Sequence, residues 1–201
     1  MPESAREERQ RRFFDVVVAD LGLVVLSPLL ALIGLLTKLE SPGPVFFRQE
    51  RVGKDGRRFE MIKFRSMRLR RPDESRVAAV ADIEAFQFRP VGEKTAIGRA
   101  LRACSLDELP NLLNVLRGDL HLVGPRPDEP ELVAQYRAEY HRRHDVKPGI
   151  SGLAQISGRA DLTYGEMMAY DLDYAARHPF ARDVQIMLKT LGVVIRREGA
   201  R

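Results

Sequence analysis

Between Val16 and Leu36 the chain reads VVVADLGLVVLSPLLALIGLL, and no other feature limits its fold as much. A stretch of this length covers a bilayer once as a helix, because about 20 apolar residues span about 30 Å of hydrocarbon. Three features argue against a simple crossing. Asp20 is costly at membrane depth, Ser27-Pro28 sits near the middle where proline removes a helix hydrogen bond, and basic residues flank both ends: Arg9, Arg11 and Arg12 before, Lys38 after. Positive charge on both sides gives a span no preferred orientation. It suits a re-entrant helix that enters, bends at Ser27-Pro28 and returns to the same face, each arm of about 12 residues reaching about 18 Å. A signal peptide fits less well, since the apolar run exceeds a usual h-region and no small-x-small cleavage site follows. A buried helix of a soluble core fits poorly with Pro28 and with apolar character all round.

The 201 residues are enough for one domain with a sizeable core and hardly for two independent enzymatic domains. The 33 Lys and Arg against 28 Asp and Glu give a net charge of +5, which favours anionic partners: phosphates, nucleic acid or acidic lipid. Cys104 is the single cysteine, which excludes an internal disulfide and a cysteine-based zinc site and reads as a small buried packing residue.

After the breaker-rich ESPGP at residues 40 to 44, VFFRQER and RRFEMIKFRSM flank VGKDG, and Asp55-Gly56 between β-leaning runs predicts a hairpin. Along FEMIKFRS, alternation puts Lys63 and Arg65 on one face and Phe64 on the other; a solvated strand edge explains these cations as well as a site does. Residues 70 to 97 form a polar excursion in which VAAVADIEAF predicts a short helix. IGRALRA and ELPNLLNVLRG predict helices, the second stopping at Gly118, with Leu109, Leu112, Leu113 and Leu116 as core. Gly124 to Pro127 (GPRP) holds Arg126 in extended backbone, because two prolines fix φ and restrict their predecessors. A polar amphipathic helix is predicted from about Asp128 to His144, then a Gly-rich loop, VKPGISGLAQISGR, ending at Arg159. Two C-terminal helices are interrupted by His178-Pro179. On the second, Val184, Met187, Leu188, Leu191, Val194 and Ile195 form an apolar face with Lys189, Arg196 and Arg197 nearby, suited to packing on the core or to lying in a membrane interface. Neither a dinucleotide-binding nor a P-loop glycine pattern is present, and there is no internal repeat.

SLDELP, residues 105 to 110, carries two adjacent carboxylates. Ser105 and Glu108 fit an S-x-x-E capping box, which accounts for both without any chemistry. Pro110 complicates it, because it removes an amide within about a turn, so the helix begins later or bends, and a bent first turn leaves amides free to meet an anion.

Five ordered motifs together carry a family resemblance: Ser-Pro in an apolar N-terminal segment, RVGKxGxxFxxxKFRSM, SLDELPxLxNVLxGD, LVGPRP and KPGISGxAQxxGR. The chain resembles the bacterial sugar transferases known as monotopic phosphoglycosyl transferases, in the short form that carries only the catalytic unit, over roughly residues 10 to 197. The resemblance implies transfer of a sugar 1-phosphate from a UDP-sugar to a polyprenol phosphate in the bacterial inner membrane, on its cytoplasmic face, with release of UMP and use of Mg²⁺. It implies Asp107 as nucleophile and metal ligand, with Glu108 as partner carboxylate. Arg126 and Arg159 match positions assigned to the nucleotide donor, and Lys63 and Arg102 lie near its phosphates; Arg65 completes the cations available to neutralise phosphate charge. The sequence departs from the family at Leu153, where Trp is frequent, and at Ser157, where Asn is common, so the sugar is not read.

The fold expected is α+β and predominantly helical: an N-terminal re-entrant membrane helix broken at Ser27-Pro28 (residues 1–40), then one catalytic unit (41–201) with a small β-hairpin and amphipathic helices at the membrane interface. A nucleic-acid-binding protein would explain the charge but not the Pro-broken apolar segment, and no recognition module is present, so no nucleic-acid partner is expected. A non-catalytic membrane scaffold explains residues 16 to 36 and not the ordered cationic motifs around Asp107 and Glu108.

Overall fold

The structure is a computed structural model that describes residues 5–68, 82–87, 92–158 and 161–196. Its first element, α1 (Ala5–Glu40), is one helix with Pro28 inside it, long and apolar enough by length and composition to cross a membrane. The expected break at Ser27-Pro28 is therefore corrected. Proline at position 28 deprives the Val24 carbonyl of its amide partner, and the Ser27 hydroxyl donates to that same carbonyl at 2.8 Å, so the helix continues through the proline. Arg11, Asp15, Ala19, Ile33 and Thr37 are buried at helical spacing on one side. The other side leaves Phe13, Leu21, Val24, Val25, Leu35 and Leu39 exposed, Phe13 by 74% and Leu39 by 73%.

The buried side of α1 begins with polar contacts. Arg11 Nε donates to Asp183 at 2.5 Å and its Nη2 to the His178 carbonyl, Asp15 pairs with His121, and Arg12 donates to the Val115 and Leu116 carbonyls at 2.5 and 2.8 Å. The last two bonds add partners to carbonyls in the final turn of a later helix, where Val115 also accepts from the Gly118 amide at 3.0 Å. Downstream, Ala19 joins a core of Leu112, Val115, Leu120, Leu122, Tyr174 and Ile186, and Ile33 meets Phe64 and Leu101.

The predicted hairpin forms. Strands β1 (Phe46–Val52) and β2 (Arg58–Phe64) pair antiparallel, with Val52 opposite Arg58. The turn uses left-handed backbone at Asp55 (φ 56°) and Gly56 (φ 73°), residue types that tolerate it. Of the short helix predicted at 77–86, residues 77–81 lie outside the described residues and 82–87 form a turn, with Asp82 Oδ1 accepting from the Glu84 amide at 3.0 Å. Helix α2 (Ala96–Ala103) starts at Thr95, whose hydroxyl accepts from the Gly98 amide at 2.9 Å. Cys104, at its C-cap, is half-buried rather than buried. Helix α3 (Asn111–Arg117) starts after Pro110 and ends at Gly118 with φ 89°, the predicted stop. Of its leucines, Leu112 is core and Leu113 is exposed.

Two short strands were not expected. β3 (His121–Val123) and β4 (Gly149–Ser151) pair in parallel, and a Cβ on Gly149 would fall 2.0 Å from the Gly124 nitrogen, so the approach needs glycine. Between them the predicted amphipathic helix is replaced by a single turn, α4 (Pro130–Val133), and a 3₁₀ stretch over Ala138–Asp145. Tyr136 and Arg143 there turn inward onto buried Asp128, while Leu132 and Tyr140 join a buried apolar cluster. Helix α5 (Leu153–Ser157) follows, then α6 (Tyr164–Ala176) and α7 (Phe180–Arg196) on either side of the predicted break at His178-Pro179. The apolar face read on α7 divides. Ile186 is buried and Met187 packs on the core, whereas Val184, Leu188 and Leu191 are exposed, Leu188 by 65%; Val194, Ile195, Arg196 and Arg197 lie outside the described side chains. The fold is α+β and mostly helical.

Candidate active site

A side chain of α3 ties that helix to strand β2. Asn114, fully buried, donates to the Glu60 carbonyl at 2.7 Å and accepts from the Ile62 amide at 3.2 Å. This bond pair locks α3 to β2 and sets Lys63 opposite Leu106–Glu108, a single 3₁₀ turn. The capping box expected at its start is absent. Ser105 takes a left-handed backbone (φ 56°, ψ 19°) and makes no side-chain cap bond. For a residue with a Cβ that conformation is unfavourable, and such backbone tends to persist where a site requires it.

The two carboxylates of this turn have different surroundings. Glu108 accepts from Lys63 Nζ at 3.0 Å, from Arg126 Nη2 at 2.7 Å and, through its other oxygen, from Arg126 Nη1 at 3.2 Å. Burial works against its ionisation, but Arg126 and Lys63 outweigh burial and hold its carboxyl well below the usual range. Asp107 is 7% exposed, and among the described residues its carboxylate has neither an ion pair nor a hydrogen bond. Burial, followed by the charge of Glu108, pushes its carboxyl upward, while Lys63, Arg102 and Arg126 act in the opposite sense. Burial and the neighbouring Arg126 charge bring Lys63 down to about 8, with Glu108 opposing.

Four of the residues singled out in the sequence thus converge with a fifth beside them: Asp107, Glu108, Lys63 and Arg126, with Arg102 near enough to bias Asp107 while its Nη1 donates to Met67 Sδ at 3.7 Å. Arg65 is elsewhere. Its guanidinium donates to the carbonyls of Thr37, Ser41 and Pro42 at 3.0, 2.7 and 2.9 Å, closing the C-terminal end of α1. It sits after the last residue of β2, so strand alternation no longer governs where it points. Arg159 lies outside the described residues.

Residues not singled out in the sequence hold the GPRP segment. The carbonyls of Pro125, Arg126, Pro127 and Asp128 accept in turn from Gly149 N (2.9 Å), Arg143 Nη2 (2.6 Å), Arg51 Nη1 (3.2 Å) and Val52 N (3.0 Å). The two prolines and this run of bonds leave the Arg126 backbone little freedom. Cations so arranged can neutralise the charge of a diphosphate, and a buried carboxylate beside them has the chemistry of a nucleophile.

On the far side of β2, an apolar cleft of about 290 Å³ is lined by Leu30, Gly34, Phe46, Phe64, Pro110 and Leu113. Pro110 lies two residues after Glu108, so the cleft and the charged site share one turn of chain.

Residues 6–197 match the bacterial sugar transferase family. The chain is 42% identical over 201 residues to the UDP-glucose:undecaprenyl-phosphate glucose-1-phosphate transferase of Caulobacter vibrioides, covering 95% of this chain and 72% of that protein. It is 38% identical to the exopolysaccharide production protein ExoY of Sinorhizobium fredii, over 94% of this chain and 87% of the relative. It is also 38% identical to the UDP-N-acetylgalactosamine-undecaprenyl-phosphate N-acetylgalactosaminephosphotransferase of Aeromonas hydrophila, there covering 45% of a longer protein.

Proposed function

The chain belongs to the bacterial sugar transferase family, and we propose that it moves a sugar 1-phosphate from a UDP-sugar to undecaprenyl phosphate through a covalent intermediate on Asp107. The observation that carries this reading is the division of labour between adjacent carboxylates: Glu108 is held by two cations while Asp107, buried beside them, has no hydrogen bond or ion pair among the described residues.

An Asp107 oxygen attacks the sugar-bearing phosphorus of the donor. The bond from that phosphorus to the oxygen of UMP breaks, and UMP leaves with the electron pair. A phosphate oxygen of the polyprenol then attacks the same phosphorus and the bond to Asp107 breaks, restoring the carboxylate. Splitting the exchange this way lets donor and acceptor occupy one site in turn. Lys63, Arg102 and Arg126 hold the phosphate oxygens, where catalysis of phosphoryl transfer consists mostly of positioning and charge neutralisation. Ionised Glu108 orients Lys63 and Arg126 before the donor arrives.

Mg²⁺ fits this donor set in one way. Among the described residues no three His, Cys, Asp or Glu side chains cluster, so Asp107 would be its protein ligand, with diphosphate oxygens completing the shell as is usual for this ion. When bound it supplies further neutralisation of phosphate charge.

The exposed apolar side of α1 and the exposed Val184, Leu188 and Leu191 of α7 support a one-sided association with the cytoplasmic leaflet of the inner membrane. A polyprenyl tail gains about 0.8 kcal/mol per buried CH₂, so the enzyme works at the headgroup plane, with the cleft at Leu30 and Phe46 open to the first units of the tail. Release of UMP from a panel of UDP-sugars, with detergent-solubilised protein, undecaprenyl phosphate and Mg²⁺ or chelator, tests the reading. One or more donors should yield UMP, and Asp107→Asn should abolish it; folded protein inert toward every donor would refute it.

A further inference from the structure

Arg143 is an enclosed charge near the site. Its side chain is 2% exposed, and it touches neither Asp107 nor Glu108. Nη1 pairs with Asp128 and donates to the Tyr136 hydroxyl at 2.6 Å; Nη2 pairs with Asp171 and donates to the Arg126 carbonyl at 2.6 Å. Asp128 in turn accepts from Tyr136 Oη at 2.7 Å and Tyr164 Oη at 2.5 Å. Such a buried ionic cluster is seldom a gain in stability, since well-packed apolar residues of the same volume do as well. What apolar residues cannot do is hold a carbonyl.

The cluster reaches the charged site through the Arg126 carbonyl. On its other side the same residue sends its guanidinium to both oxygens of Glu108. Gly149 and Val52 fix the Pro125 and Asp128 carbonyls through main chain, whereas the Arg126 and Pro127 carbonyls are fixed by the side chains of Arg143 and Arg51, and the planar fork of Arg143 is itself held by two carboxylates. We infer that Arg143 is a positioning residue: braced by Asp128 and Asp171, it sets the direction in which Arg126 presents its guanidinium to the donor diphosphate. The inference rests on the proposed role of Arg126.

A double-mutant cycle tests it, with UDP affinity and kcat/KM for the productive UDP-sugar as readouts and thermal unfolding as control. Arg143→Lys keeps the charge but cannot reach Asp128, Asp171 and the Arg126 carbonyl at once. It should weaken UDP binding and kcat/KM by about 10- to 100-fold, the scale of loss from a misplaced group. In an Arg126→Ala background the same change should have less than about a 2-fold effect, because its route to the ligand is gone. Equal losses in both backgrounds would mean that Arg143 serves the fold alone. If Arg126→Ala by itself leaves UDP binding and turnover unchanged, the role of Arg126 fails first and the inference with it. Should Arg143→Lys not fold, Asp171→Asn replaces it in the cycle, with the same pattern expected at about 3- to 10-fold.

Discussion

Arg126 takes both oxygens of Glu108, Nη2 at 2.7 Å from Oε1 and Nη1 at 3.2 Å from Oε2, while Lys63 Nζ approaches Oε1 at 3.0 Å. One carboxylate therefore stands where the two cations proposed to bind phosphate converge. An incoming diphosphate has to share those cations with Glu108. Glu108→Gln removes the competing charge and also the template that orients Lys63 and Arg126. UDP should bind about 3- to 10-fold more tightly, within the range of one charge-assisted hydrogen bond, while kcat falls by about 10²-fold. Calorimetric titration with UDP beside steady-state turnover separates the two effects; weaker UDP binding in this variant would contradict the competition.

Lys63 gives the reaction a basic limit. Burial and Arg126 lower it to about 8, so in the free enzyme its charge is lost as pH rises through that value. The kcat/KM for donor, which reports groups in the free enzyme, should fall above about pH 8. Lys63→Arg, charged throughout, should remove that falling limb even if its absolute rate is lower. Asp107 acts in the opposite direction. Its raised pKa requires deprotonation before attack, so the acidic limb should lie above that of an ordinary aspartate. A profile flat from pH 7 to 9.5 would contradict the role of Lys63.

Arg65 should separate from the other cations. Its bonds to Thr37, Ser41 and Pro42 tie down the end of α1, and Arg65→Met leaves those carbonyls without it. The expected cost is about 1 to 3 kcal/mol in urea unfolding, with kcat/KM near wild type while the protein is folded. Arg102→Met should do the reverse, lowering kcat/KM with little change in stability.

These contrasts mark what the sequence discloses and what it does not. The Asp55-Gly56 turn, the stop at Gly118 and the break at His178-Pro179 are local events, decided by residues within a few positions, and all three are where the sequence puts them. Ser105 is also local in appearance, yet it takes a left-handed backbone and makes no side-chain cap bond, so the capping-box pattern misleads. Arg143 and Asp128 fall in the predicted amphipathic helix and Asp171 in a C-terminal helix, and none is singled out there because the partners of Arg143 lie 15 and 28 residues away in the chain. Pro28 is a helix breaker by its chemistry, and only the Ser27 hydroxyl on the Val24 carbonyl shows how the helix continues. Asp107, Glu108, Lys63 and Arg126 were legible as candidates, but their division into a free and a clamped carboxylate was not.

The membrane arrangement has its own consequence. The proposed one-sided helix would keep both ends of the chain in the cytoplasm, where UDP-sugars are. Reporter tags at residue 1 and residue 201 should both be cytoplasmic in intact cells; a periplasmic N-terminus would mean that α1 crosses the bilayer.

The most direct measurement is the intact mass of the protein after incubation with the productive UDP-sugar in the absence of polyprenol phosphate. The account predicts a gain equal to one sugar phosphate, mapped by fragmentation to Asp107, lost on adding undecaprenyl phosphate and absent in Asp107→Asn. Enzyme that turns over with both substrates yet never carries that mass, at any time or donor concentration, would contradict it.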